Sequence, residues 1–568
     1  TQDLAGNVNN TDEQTIIIDT VYPLIDFVYP TSSNNYYNPR TYTYINVTTS
    51  DTYLSSAMID WNNSLLGWWR FENDYTDSST HGNDLSCSNC PTGTTGRLGD
   101  AYYFDAVNDY LYDTTFNYSV LKQGSETSNW TFEAWVKPDG SQAGNERVIV
   151  GRSGCHSGIY ADTNDFKFAI KTTDCWTNAR TITYTPPDMT SWHHLVAVYN
   201  DRSMTFYADG NLVGSQSFDH IINHASNTLY IGGIGSFLFK GTIDDVKIWN
   251  KSLSVEEINA SYNNGLYRLY HNFTGLEDGI YNYTAYTQDL AGNLNNTETR
   301  TITVDTTSPQ IDFVDPTDSD NDNVSLSYTY VNVTTSDTNN ISSFIDWNNS
   351  LVGWYRFNSE TDFTDHSTYS NTGTNQGSTY TEDGMFGGAR SFDGSDYIAI
   401  DSIATQTGGS TTLTWESWIK TSETSEDNII GGWNTNTGAN RFWFDSVRNG
   451  GYFATYSGSS WRYTTTNVND GEWHHICVIY NAGQVTAYID MINVSDYSQT
   501  INFASDDKVS IGQEWDDASP SGRFVGSIDD VKIWDRTLNE EEINASYNKD
   551  YKLYHNFTSL NDGVYTYT

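Results

Sequence analysis

Apolar and polar residues alternate with a period of two along much of the chain. Examples are Tyr42-Thr43-Tyr44-Ile45-Asn46-Val47, Thr131-Phe132-Glu133-Ala134-Trp135-Val136 and Thr299-Arg300-Thr301-Ile302-Thr303-Val304. Successive side chains of a strand point to opposite faces, so these segments predict strands, with turns at signals such as Asp209-Gly210. Helical spacing is scarce. It occurs after Ser254, where Ser254 and Glu257 form a capping box and Val255, Ile258 and Tyr262 share a face. Asn539 and Glu542 repeat the box. The expected class is all-β.

The pattern also repeats as a whole. Thr1–Asn7 and Thr287–Asn293 both read TQDLAGN, and WNNSL begins at Trp61 and again at Trp347, each pair 286 residues apart. IDDVKIW begins at Ile243 and Ile528, and YHNFT at Tyr270 and Tyr554. Thr568 aligns with Thr284, so two more residues would restore the register of Thr1. The expectation is a window two periods long, less two residues, cut from a longer tandem array.

Composition narrows the class. At 568 residues and 63.9 kDa the chain is too long for one core, and three to five domains are expected. Aromatic residues reach 15%, which excludes a disordered polymer. A net charge of -44 argues against nucleic acid and anionic membranes as partners, and suits a solvated exterior or divalent cations. No apolar run is long enough to span a bilayer.

Two families resemble parts of each repeat. The inner part resembles the LamG-like (pentraxin and concanavalin A-like) jelly roll. The resemblance rests on Leu66-Gly67-Trp68-Trp69-Arg70-Phe71, Asp77-Ser78-Ser79, Phe104-Asp105, Ala134-Trp135-Val136-Lys137, Trp192-His193-His194 and the closing stretch Gly241 to Trp249. The second copy shows Gly353 to Phe357, Asp365-His366-Ser367, Phe392-Asp393-Gly394, Trp418-Ile419-Lys420, Trp473-His474-His475 and Gly526 to Trp534. Met491 stands in place of the hairpin glycine Gly210, and His81 or Ser370 where this family favours glycine. The outer parts resemble the immunoglobulin-like repeats of bacterial and archaeal surface proteins, on Leu276-Glu277-Asp278-Gly279-Ile280-Tyr281, Asp289-Leu290-Ala291-Gly292-Asn293, Val304 to Pro309 and Asp562-Gly563-Val564-Tyr565. Tyr281 falls where a tyrosine-corner residue would stand.

Residues 21–65 and 266–306 each offer about three strands, too few for a core, but together they approach one immunoglobulin-like domain. The expected fold is therefore a tandem repeat of immunoglobulin-like β-sandwiches, each with an inserted concanavalin A-like jelly roll. Its parts are 1–20 as the final strand of a preceding sandwich, 21–65 plus 266–306 as sandwich 1 and 66–265 as jelly roll 1. Residues 307–351 plus 550–568 form an incomplete sandwich 2, and 352–549 form jelly roll 2. The alternative joins 266–351 as one permuted sandwich.

The candidate chemistry is sparse. Glucanases on this fold carry clustered carboxylates that flank one bond, whereas Glu133 and Glu416 stand alone on the corresponding strands, so no catalysis is expected. His193-His194 and His474-His475 are adjacent on strands, point to opposite faces and predict packing rather than chelation. His220 and His224 have no second-copy equivalent. The LamG resemblance implies calcium at Asp77, Asn83 and Asp244 and at Asp365, Asn371 and Asp529, with Asp105 and Asp109, or Asp393 and Asp396, on a further loop; turn capping is the competing role. Asp318, Asp320 and Asp322 alternate as in a calcium loop, but Asn323 and Thr329 replace its glycine and glutamate.

Four of the five cysteines fall in jelly roll 1, and two disulfides are expected, Cys87 to Cys90 and Cys155 to Cys175; a four-cysteine zinc site is the alternative. Cys477 reads as a buried free thiol. Of 17 Asn-X-Ser/Thr sequons, the candidate glycosylation sites are Asn9, Asn46, Asn62, Asn117, Asn129, Asn259, Asn272, Asn282, Asn295, Asn332, Asn348, Asn493, Asn544 and Asn556.

These readings predict a non-enzymatic, extracellular, cell-surface protein that is structural and adhesive, with neighbouring copies of itself and glycans as partners. A calcium-dependent carbohydrate-binding array is the alternative. A lectin array would reuse its binding loops, yet the loops 85–99 and 373–384 differ between copies while the framework repeats.

Overall fold

In a computed structural model, the alternating segments pair into antiparallel sheets. It describes residues 18–568 except 117–128, 153–156, 171–179, 218–227, 263–267, 435–441 and 549–552, and the shorter interruptions 141, 143, 145, 340, 425–426, 449, 458–459 and 517–518. The chain divides into two compact units: Thr1–Asn35, Tyr42–Leu276 and Ile280–Ile302 in one, and Tyr36–Thr41, Glu277–Gly279 and Thr303–Thr568 in the other.

In the first unit, one sheet of the jelly roll runs in the order Asn211–Ser217, Ser203–Ala208, His193–Asn200, Asn129–Pro138, Lys240–Trp249, Asp100–Asp105, Thr92–Thr95, with Leu65–Trp69 also paired to Lys240–Trp249. The facing sheet runs Arg180–Tyr184, Phe166–Ile170, Gly158–Ala161, Arg147–Arg152, Leu229–Ile231, Tyr110–Asp113, Ser86–Ser88. Trp69, Phe104, Phe132, Ile149, Phe168 and Ile248 fill the core. Large side chains on alternate positions of both inner faces exclude water there.

The strands on either side of this jelly roll pair with one another. Tyr42–Ser50 lies between Leu24–Phe27 and Leu269–Thr274, in register from Leu269 opposite Val47 to Thr274 opposite Tyr42. Ser55–Trp61 pairs with Gly279–Asp289, from Tyr283 opposite Trp61 to Asp289 opposite Ser55. Trp61 stacks on Phe273 at 4.2 Å between ring centres.

The second unit repeats the jelly roll. One sheet orders Thr379–Thr381, Ala389–Asp393, Val525–Trp534, Thr412–Lys420, Trp473–Asn481, Gln484–Ile489, Ile492–Ser498; the facing sheet centres on Asp507–Ile511 and Asp427–Asn434. Its outer sheet is Gln310–Val314, Tyr328–Ser336 and Leu553–Thr558, and Trp347 bridges Tyr567.

The expected helices form at Val255–Tyr262 and Glu540–Tyr547. Ser254 Oγ accepts from the Glu257 N–H at 3.2 Å, and Glu257 Oε2 accepts from the Ser254 N–H at 3.0 Å. Asn539 and Glu542 make the same reciprocal pair. Among the described residues no helix is long and apolar enough to cross a membrane.

Candidate functional site

Glu133 lies fully buried at the centre of strand Asn129–Pro138. His194 Nε2 lies 3.1 Å from its Oε1, Lys247 Nζ is 3.3 Å away, and Trp249 Nε1 donates to Oε2 at 3.4 Å. Ser261 Oγ, on the last turn of the helix, also donates to it. Burial opposes ionisation, yet Lys247, with His194 and Ser261, holds this carboxyl well below the usual range. Asp245 joins the group, accepting from Lys247 and, at 2.6 Å, from Trp68 Nε1. Every Glu133 contact is made inside the protein, so the group fastens the helix to the sheet and offers no carboxylate to a substrate.

The second jelly roll keeps the residue types but not all the bonds. Trp354 Nε1 donates to Asp530 at 2.7 Å, Lys532 pairs with Asp530, and Ser546 Oγ donates to Glu416 at 3.2 Å. Glu416 Oε1 and both ring nitrogens of His475 are buried without a partner. Burial pushes the Glu416 carboxyl up to about 7, against the pull of Lys532. Burial and Lys532 bring His475 down to about 3.

The histidine doublets divide their work between two faces, as adjacent strand residues must. His193 Nδ1 meets Asp209 at 2.9 Å and its Nε2 the Asp188 carbonyl at 3.0 Å, while His194 turns inward to Glu133. His474 likewise meets Asp490 at 2.7 Å and Asp470 at 3.0 Å. His220 and His224 lie outside the described residues.

The residues expected for calcium are engaged as turn caps. Asp77 accepts from the N–H groups of Trp68, Ser79 and Asn83 and from Ser79 Oγ, each at 2.8 Å. Asn83 Nδ2 donates to the Leu66 carbonyl at 2.6 Å. Asp244 faces a different loop, where Oδ2 accepts from the Arg97 and Leu98 N–H groups at 2.7 and 2.9 Å. Asp365, Asn371 and Asp529 reproduce this division: Asp365 caps Trp354, Ser367 and Asn371, and Asp529 caps Met385 and Phe386. Burial, and next the neighbouring Asp245 or Asp530, raises Asp244 and Asp529 well above the usual carboxylate range. Asp105 and Asp109 share one hairpin, as do Asp393 and Asp396, where Asp109 and Asp396 accept from the N–H groups of Asp105 and Asp393 at 3.2 and 3.1 Å. Asp318, Asp320 and Asp322 form no three-carboxylate cluster among the described residues.

Cys87 and Cys90 are disulfide-bonded, with Cα atoms 4.9 Å apart. Cys155 and Cys175 lie outside the described residues, and Cys477 is a buried free thiol. Two sequons require correction. Asn46 is fully buried, its Nδ2 donating to the Tyr29 carbonyl at 2.6 Å and its Oδ1 accepting from Arg268 Nε at 2.8 Å, so a glycan there is incompatible with this fold. Asn332 is buried at the equivalent position. Asn62, Asn129, Asn348, Asn493 and Asn556 are exposed, Asn259, Asn272, Asn282, Asn295 and Asn544 are half-buried, and Asn9 and Asn117 lie outside the described residues.

Residues 113–259 and 392–544 match the Laminin_G_3 family, described as the concanavalin A-like lectin/glucanases superfamily. The chain belongs to this superfamily. Similar solved structures include domain 4 of AbnA, a GH43 extracellular arabinanase from Geobacillus stearothermophilus, in complex with arabinotriose, at 18% identity and a TM-score of 0.30, covering 35% of this chain and 98% of that one. The SAP-like pentraxin of Limulus polyphemus is 16% identical with a TM-score of 0.22, covering 26% and 83%. The LG4-5 domains of the mouse laminin alpha1 chain are 12% identical with a TM-score of 0.21, covering 84% and 98%. The superfamily contains carbohydrate-binding and adhesive domains, and its Laminin G-like members are generally non-enzymatic.

One acidic group escaped the sequence reading: Asp19, Asp51 and Asp289 converge, each with a carboxylate oxygen within 4.8 Å of the others. The available signal was recurrence, since Asp305 and Asp337 repeat Asp19 and Asp51.

Proposed function

We propose that the chain is a non-enzymatic, extracellular structural and adhesive repeat protein, in which immunoglobulin-like sandwiches form the shaft of a surface filament and the jelly rolls project as lectin-like side domains. The observation that carries this reading is the pairing across the jelly roll. Tyr42–Ser50 and Leu269–Thr274 are neighbours although a jelly roll separates them in sequence. An insert entering and leaving through adjacent strands extends sideways without interrupting the sandwich that hosts it.

Two further features support it. The Tyr565 hydroxyl donates to the carbonyl of Asn561, four residues upstream, at 3.1 Å, in the manner of a tyrosine corner. Glu133, the residue nearest to a catalytic candidate, is consumed by internal contacts.

Electron microscopy of native surface material, labelled with antibody against this chain, tests the reading. Fibres bearing lateral knobs at a regular interval are the expected result, and label confined to dispersed particles would sink it. Mass spectrometry of the same material should find sugar on Asn62, Asn348 or Asn556 and none on Asn46.

A further inference from the structure

We propose that the outward tyrosines of each outer sheet form a ledge on which the carbohydrate carried by Asn272, and by Asn556 in the second copy, lies flat. The proposal rests on the extracellular reading above and adds where the sugar goes. On strands Tyr42–Ser50 and Leu269–Thr274 the buried Thr43, Ile45, Leu269 and Phe273 face the sandwich interior, so Tyr42, Tyr44, Tyr270, Asn272 and Thr274 share the opposite face. Tyr44 and Tyr270 lie nearly parallel, with 5.4 Å between ring centres and 14° between planes, and Tyr42 meets Tyr44 edge to face at 5.6 Å. Tyr270 is 44% exposed.

Asn272 stands among these rings. It pairs directly with Tyr44 across the ladder, Thr274 pairs with Tyr42, and Tyr270 lies two residues before it on the same face. Directly opposed residues hold their Cβ atoms about 5 Å apart, so the first sugar on Asn272 Nδ2 starts beside the Tyr44 ring. Of the sequon Asn272-Phe273-Thr274, only Phe273 points inward. Among the described residues the Asn272 side chain makes no hydrogen bond, and its Oδ1 is shut off from solvent. Asn46, on the neighbouring strand, is the contrast, because its amide is already committed to the Tyr29 carbonyl and to Arg268.

The second copy repeats the arrangement. Tyr328 and Tyr330 meet edge to face at 5.8 Å, and Asn556 pairs with Tyr330 as Asn272 pairs with Tyr44. Tyr328, Tyr330, Tyr554 and Asn556 are all exposed. The chemistry of the ledge selects its occupant. Every outward position named is uncharged, in a chain whose net charge is -44. A pyranose offers a face of polarised C–H groups and a rim of hydroxyls, which suit the negative face of a tyrosine ring and its phenolic tip. Clustered exposed rings mark a surface that something covers, and a tethered sugar does so at high effective concentration. A second copy of the chain is a poorer occupant, because two polyanionic surfaces repel each other.

The full chain is secreted from an N-glycosylating host, and release of each glycan from the native protein by a peptide N-glycosidase is followed site by site with mass spectrometry. Sugar on Asn272 and Asn556 should come off about tenfold more slowly than sugar on the exposed Asn62, the scale of one stacked ring contact. Tyr44→Ala should bring Asn272, and Tyr330→Ala should bring Asn556, to the rate of Asn62. Tyr44→Phe keeps the ring and should keep the protection; Tyr270→Ala serves if Tyr44→Ala fails to fold. Protection that survives both alanine variants, or release in the parent chain as fast as at Asn62, would overturn the ledge. Protection that appears only at high protein concentration would assign the rings to a second copy and overturn it too. Bare Asn272 and Asn556 beside a glycosylated Asn62 would sink the ledge and leave the extracellular reading standing, whereas native surface material without sugar at any sequon would count against both.

Discussion

The two jelly rolls bury the same kinds of residue at the same place, a glutamate, a lysine, a histidine and a serine, yet connect them differently. In the first, Glu133 collects His194, Lys247, Trp249 and Ser261, and its charge is compensated. In the second, Glu416 keeps Ser546, Lys532 turns to Asp530, and His475 has no partner on either nitrogen. The cross-strand neighbour also differs, Val196 beside Glu133 and the buried thiol of Cys477 beside Glu416. Conserved residue types therefore do not guarantee a conserved ionisation state. One network is a set of charges held in balance, and the other is an acid pushed towards neutrality.

The largest expected difference follows from removing the carboxylate. Glu133→Gln removes one of the two carboxylates that hold the buried Lys247, leaving Asp245, and should cost about 3 kcal/mol, the low end of the usual penalty for breaking a buried pair from one side. Glu416→Gln should cost well under half of that at neutral pH. Urea unfolding of the full chain, with the transitions of the two units resolved, gives both values; equal costs would break the comparison.

The pH dependence comes next. A carboxyl whose folded value is raised, here to about 7, contributes stability that is fully present below its unfolded value and is lost as pH rises through 7. The stability of the parent relative to Glu416→Gln should therefore increase by up to about 3 kcal/mol as pH is lowered from above 7 to 4.5. His475 acts in the opposite sense: held down to about 3, it contributes stability above its unfolded value that is lost as pH falls towards 3. Referring each pH to the Glu416→Gln variant cancels that second effect, and a flat difference would contradict the assigned environment.

A smaller contrast is expected at the helix. Ser261→Ala removes a hydrogen bond to an ionised carboxylate and should cost about 1.5–3 kcal/mol, whereas Ser546→Ala should cost about 1 kcal/mol. The smallest effect concerns a hairpin. Gly210 and Met491 both adopt left-handed backbone, with φ of 73° and 67°. Only glycine does so without a steric penalty, so Met491→Gly should gain up to about 1 kcal/mol, offset by packing lost against its neighbouring cluster. The corresponding unfolding transitions measure both contrasts.

Much of this protein was determined by its sequence alone. Alternation of period two specified strands, the reciprocal pairs Ser254 with Glu257 and Asn539 with Glu542 specified both helices, and recurring motifs marked the jelly rolls. These signals are local, because a hydrogen-bonded cap or a strand face involves residues a few positions apart. The strand that carries Asn46 illustrates the limit: its sequon is visible, but the Tyr29 carbonyl and Arg268 that close over it are not. Asp77 and Asp244 looked like one ligand set until separate loops claimed them as caps. Asp19, Asp51 and Asp289 looked unrelated until strand pairing brought them together. Which buried glutamate is charged was likewise decided only in three dimensions, because ionisation depends on the distance to a lysine on another strand and on the water excluded between them.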